Sequence, residues 1–108
     1  MKENVLDLGA ITERGVELLA GQPRGLAARE KLGVEELDVL PGKVQVRAPS
    51  HLTAITTSFV QGLFGGSAVR LLSKERLVQH YDYSGLPDGL RDDLSSGLDR
   101  LFFKRRLP

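Results

Sequence analysis

Residues Lys43–Leu72 read KVQVRAPSHLTAITTSFVQGLFGGSAVRLL, and everything else in the chain can be placed around them. Val44, Val46 and Ala48 alternate with Gln45 and Arg47. A period of two buries one face of a strand and leaves the other wet. Pro41-Gly42 is turn punctuation before that strand, and Pro49 ends it because proline has no N–H for the ladder. From Val60 the period changes. Val60, Leu63, Phe64, Ala68, Leu71 and Leu72 share one helical face, which Phe59 extends and Ser67 interrupts. Gly65-Gly66 weakens that helix and predicts either a close approach to a neighbour or a kink.

Between strand and helix lie three hydroxyls, Thr56, Thr57 and Ser58. The first N–H groups of a helix lack partners within it, and a Ser or Thr side chain accepts from them. Ser58 followed by Gln61 has the spacing of a capping box. A second reading of the same serine is a phosphorylation or partner-docking site, since a phosphate at a helix start meets free N–H groups and the positive end of the helix dipole. Both readings put Ser58 at the same place.

Upstream, Asn4–Ile11 and Val16–Ala20 are short apolar runs around Thr12-Glu13-Arg14-Gly15, a pattern that predicts a hairpin. Glu13–Ala20 also fits a helical turn. Leu26–Leu32 predicts a short helix, with Pro23 at its start and Gly33 just past its end. Val34–Leu40 fits a turn of helix or a loop. Downstream, Arg76–Tyr83 has a strand-like composition. Leu90, Leu94, Leu98, Leu101 and Phe102 recur at helical spacing, with acids early and Lys104-Arg105-Arg106 late, matching the helix dipole. The expected order is β-β-α-β-α-β-α in one α/β domain over residues 1–108, a mixed four-stranded sheet with parallel pairs, right-handed crossovers and helices mainly on one face.

Composition narrows the function classes. The 108 residues carry 41% hydrophobic residues, enough for one core, and no cysteine, which excludes disulfides and thiolate metal sites. A net charge of +1 gives no bulk electrostatic argument for nucleic acid. No apolar run approaches the roughly 20 residues of a membrane helix. The start MKENVLDLG lacks the apolar core of a signal peptide, so a cytoplasmic protein is expected.

RAPSHLTAITTSFVQGLFGG, residues 47–66, resembles the core of the STAS-like domains, small bacterial relatives of the anti-anti-sigma factor fold. That family follows its strand with Ile/Val, a hydroxyl, any residue, Ser-Phe and then Leu-Phe-Gly. Here these are Ile55, Thr56, Thr57, Ser58-Phe59 and Leu63-Phe64-Gly65. Pro23-Arg24-Gly25 with Arg29 is similar to the family's Arg-x-x-Gly-x-x-x-Arg helix start at a different spacing, and the order of elements agrees over nearly the whole chain. The resemblance implies a non-enzymatic regulatory module without cofactors that docks a protein partner, a kinase-like ATP-binding regulator. Thr56, Thr57 and Ser58 would form the docking and phosphorylation corner, and Phe59, Gln61 and Gly62 would add partner contacts. Anti-anti-sigma relatives carry Asp-Ser-Ser-Gly there. By position Thr56 stands at the Asp, Thr57 and Ser58 at the serines, and Phe59 at the Gly. Where many STAS-like domains end the strand in Asp-Phe-Ser-Gly, this chain has Arg47-Ala48-Pro49-Ser50.

Other chemistry is thinner. His51 near the hydroxyls lacks an acid close in sequence to complete a nucleophile–base–acid set. His80 beside Asp82 has no recurrent metal-ligand spacing. Gly62, Gly65 and Gly66 fall inside a helix and lack the Gly-Lys-Ser/Thr of a phosphate loop. Lys104-Arg105-Arg106 motivates an alternative reading as a DNA-associated accessory protein. A structural subunit of a larger assembly is a third.

Overall fold

The computed structural model describes residues 4–106, with side chains as far as Phe103. The central strand, β3 (Val44–Arg47), has Val44 and Val46 buried and Gln45 and Arg47 exposed, as its alternation predicts. It lies between β1 (Val5–Asp7) and β5 (Tyr81–Asp82), parallel to both. Leu6 pairs in register with Val46, and Tyr81 with Val44. A second parallel pair joins β2 (Leu18–Leu19) to β4 (Ala54–Ile55). The sheet is therefore not a mixed four-stranded one: among the described residues five short strands form two sheets, and every pairing is parallel.

The helices are α1 (Gln22–Lys31), α2 (Val34–Asp38), α3 (Thr57–Leu71), α4 (Lys74–His80) and α5 (Asp88–Arg106). The central one is α3, flanked by α1 and α5. It crosses α1 where two glycines meet: a Cβ on Gly25 would lie 2.2 Å from the Phe59 carbonyl oxygen, and one on Gly62 would lie 2.3 Å from that of Gln22. On the other flank a Cβ on Gly97 would lie 2.7 Å from Val60 Cβ. These bare backbones let the apolar rows of α3 and α5, including Phe59, Leu63, Leu94 and Leu98, close into one core with Leu6, Val44 and Tyr81. At Gly65-Gly66 the helix is not interrupted: α3 runs through both.

The N-terminal hairpin does not form. A single 3-10 turn at Leu8–Ala10 follows β1, held by Asp7 accepting from the Gly9 N–H (2.8 Å) and by the Thr12 hydroxyl donating to the Leu8 carbonyl (2.6 Å). The chain then reaches β2 after a connection longer than a tight hairpin uses, and β1 and β2 pair with different partners. The strand expected at Arg76–Tyr83 is mostly α4, with only Tyr81–Asp82 extended. Ser73 caps α4 by accepting from the Arg76 N–H (3.2 Å), and Glu75 sits in its first turn. Those start signals, together with Leu77 buried at helical spacing, outweigh a β-rich composition. The first helix starts at Gln22 with Pro23 in its first turn, as expected, and Gly33 takes the left-handed conformation that separates α1 from α2.

Candidate functional site

Two strand-to-helix connections, β2–α1 and β4–α3, lie side by side. The Thr56 N–H donates to the Leu19 carbonyl (2.9 Å), continuing the β2–β4 pairing to the brink of the helix. Thr56 itself is the N-cap. Its Oγ1 accepts from the Phe59 N–H (3.2 Å) and from the Gly21 N–H (3.3 Å) at the start of α1. The cap is thus two residues earlier than Ser58, and the Ser58–Gln61 capping box does not form. Extended backbone at Thr56 and helical backbone from Thr57 onward explain why the first of the three hydroxyls takes the role.

Capping leaves Ser58 free for other work. Its Oγ lies 3.1 Å from Thr56 Oγ1. Both acceptor positions of that threonine oxygen are used by backbone N–H groups, so its proton goes to Ser58 and the serine's own O–H points away. Ser58 is exposed, Thr57 and Gln61 are half-buried, and with Thr56 and Arg100 they line an open hollow of about 480 Å³. Arg100 reaches this hollow from α5 and makes no ion pair or side-chain hydrogen bond among the described residues. Phe59 and Gly62 are buried, Phe59 in the core and Gly62 beneath α1, so these two serve packing and offer no surface to a partner. The corner is braced from below: Asp93 of α5 accepts from the Ile55 N–H at 2.8 Å. Arg100 and Asp93 left no local signal, because only the packing of α5 beside α3 brings them to the corner.

The start of α3, the exposed serine and Arg100, which has no ion pair among the described residues, give the hollow a positive character. It suits an acidic or hydrogen-bond-accepting group. Among the described residues neither histidine is hydrogen-bonded to Ser58. His51 is tied to the Glu13 carbonyl (3.1 Å), and His80 to the Leu37 carbonyl (2.7 Å). Among the described residues there is no cluster of three or more His, Cys, Asp or Glu placed to hold a metal, and no helix long and apolar enough to cross a membrane.

A second polar cluster is internal. Asp38, whose side chain is fully buried, receives Arg29 Nη2 (3.0 Å) on Oδ2, and the hydroxyls of Ser67 (2.7 Å) and Tyr81 (2.5 Å) on Oδ1. Arg29 Nη1 also donates to Ser67 Oγ (2.8 Å) and to the Leu63 carbonyl (3.0 Å). Burial, followed by the neighbouring carboxylate, pushes the Tyr81 phenol well above its ordinary pKa. Each group satisfies another, so the cluster ties α1, α2, α3 and β5 together. The polar Ser67 that breaks the apolar face of α3 is one of its members.

No family model matches the chain, and searches of curated proteins and of solved structures yield no match.

Proposed function

We propose that this protein is a STAS-like, non-enzymatic interaction module of the bacterial cytoplasm. Its partner docks on the Thr56–Ser58 corner and on the exposed face of α3. The observation that carries the reading is Ser58: exposed, relieved of capping by Thr56, and set beside an unpaired arginine in an open hollow. A helix start presented this way recognises a partner's acceptor group, and it also gives a kinase access to the hydroxyl. The parallel β-α-β arrangement supports the STAS-like assignment at the level of architecture. A kinase-like ATP-binding regulator as the partner follows from the resemblance of residues 47–66.

Phosphorylation of Ser58 adds about −1.5 to −2 charges, which occupies Arg100 and the helix start and blocks an acidic partner group. The test is a pull-down from the native cells with wild-type, Ser58→Ala and Ser58→Glu proteins, alongside intact mass of the natively expressed chain. Retention with alanine and loss with glutamate is the expected pair of results. Equal recovery with all three removes the switch.

A further inference from the structure

Two residues on the exposed face of α3 run against the needs of the fold. Gly65 lies mid-helix, where glycine destabilises relative to alanine. The other glycines in helix interiors have packing reasons: a Cβ would strike α1 from Gly62, the backbone of α3 from Gly25, the Arg29 guanidinium from Gly66 (2.7 Å), and Val60 from Gly97. A Cβ on Gly65 would meet nothing within 4 Å. Leu72 presents the converse. It closes α3 at φ 70°, the left-handed region where glycine is favoured, and is the only non-glycine residue with positive φ among those described. Its side chain is 70% exposed. A bare backbone stands where the helix favours a side chain, and a large apolar side chain stands where the turn favours none. Neither is compensated inside the molecule.

Both belong to one stripe. Ser58, Gln61, Gly65, Val69 and Leu72 follow helical spacing along the solvent side of α3. The stripe spans about 21 Å at 1.5 Å per residue. It carries no charge, because the one charged residue of α3, Arg70, turns to Glu35 of α2 (3.0 Å). At its far end Val69 is 53% exposed, and Leu72 shares with the exposed Phe103 a hollow of about 440 Å³ whose remaining walls include Glu75 and the Lys74–Asp99 ion pair. Its near end is the hydroxyl corner with Arg100.

We infer that this stripe seats an α-helix of the protein partner, crossing α3 at Gly65, with apolar residues over Val69, Leu72 and Phe103 and an acidic end at Arg100 and Ser58. The inference rests on the docking role proposed above and adds the form and polarity of what docks. A missing side chain at the crossing lets two helix backbones approach closely, as Gly25 and Gly62 do inside the protein. A second copy of this chain fits poorly. Antiparallel crossing at Gly65 would set the apolar Val69 and Leu72 against the polar Gln61 and Ser58.

A photo-crosslinking amino acid placed at Gln61 and, separately, at Val69 in the native cells identifies the residues that touch each position, by mass spectrometry. The two positions should trap one protein at sites about eight residues apart within one helix. That segment, synthesised as a peptide, is then titrated against wild type, Gly65→Ala and Leu72→Gly. Both variants should melt at or above the wild-type temperature and bind at least about tenfold more weakly, a loss that misfolding does not explain. Trapped sites in a strand or loop, or wild-type affinity in both variants, overturn the helix inference and leave docking intact. Absence of any trapped protein at either position overturns both.

Discussion

Gly25 and Gly62 meet backbone to backbone: a Cβ at position 62 would lie 2.8 Å from the α carbon of Gly25. Backbone cannot rotate away as a side chain does, so either alanine forces α1 and α3 apart. Gly62→Ala and Gly25→Ala should each destabilise the fold by about 3 kcal/mol, the upper part of the range for overpacking. For a domain of this size that lowers the melting temperature by more than about 10 °C. Gly65→Ala, three residues further along the same helix, should stabilise by up to about 1 kcal/mol. Thermal melts followed by circular dichroism separate the two. Equal effects at positions 62 and 65 would contradict the crossing described.

Asp38 is the acceptor on which Arg29, Ser67 and Tyr81 converge. Removing it leaves a largely buried guanidinium without its counter-charge and the Ser67 hydroxyl without its acceptor, while Tyr81 keeps only the longer bond to the Val34 carbonyl (3.3 Å). Asp38→Ala should cost about 3–5 kcal/mol, the range for breaking a buried ion pair from one side. Arg29→Ala and Asp38→Ala together should cost less than their sum, since the second substitution removes a group the first left unpaired. Urea denaturation of the two single variants and the double variant measures the coupling, and simple additivity would show that the pair contributes nothing jointly.

What could be read along the chain followed how local its cause was. Val44–Arg47 and the apolar rows of α3 and α5 announce themselves by period, and the structure keeps them except at Leu72, which the left-handed turn at the end of α3 puts into solvent. The corner at Thr56–Ser58 was visible as a helix start, but which hydroxyl caps depended on where the backbone leaves the extended conformation. At Arg76–Tyr83 a strand-like composition yields to the helix start that Ser73 caps. Partners of the strands were illegible, because two- and three-residue strands choose neighbours by the packing of the helices between them. Arg29, Asp38, Ser67 and Tyr81 are spread over four elements, so no spacing in the sequence reveals that they touch.

Tyr81 gives the fold an alkaline limb. Its folded-state pKa is raised, chiefly by burial, so the phenol stays protonated in the folded state after it ionises in the unfolded one. The associated stability is fully present below the unfolded value of about 10 and falls by up to about 1.4 kcal/mol per pH unit above it. Tyr81→Phe removes a donor to Asp38 and should cost about 1–2 kcal/mol at neutral pH. It also removes this titration, so the stability gap to wild type should narrow from pH 10 upward. Urea midpoints of both proteins between pH 7 and pH 11 test the sign. A gap that stays constant through pH 11 would mean that the phenol ionises equally in both states.

Asp93 governs how firmly the docking corner is held. Its Oδ2 accepts from the Ile55 N–H at 2.8 Å, and Ile55 immediately precedes the Thr56 cap. The Leu19 carbonyl holds the other side of the corner through the Thr56 N–H. Asp93→Ala therefore leaves the β2–β4 register in place but frees the outer edge of β4. A hydrogen bond to a charged acceptor contributes about 1.5–3 kcal/mol, so overall stability should fall by an amount in that range. The local signature is sharper. Amide exchange should accelerate at Ile55 and through Thr56–Ser58, while Val44 and Val46 in the central strand change only as global stability changes. Asp93→Asn keeps a carbonyl acceptor and should restore much of the protection at Ile55. Unaltered exchange at Ile55 in the alanine variant would show that the carboxylate does not hold the strand end.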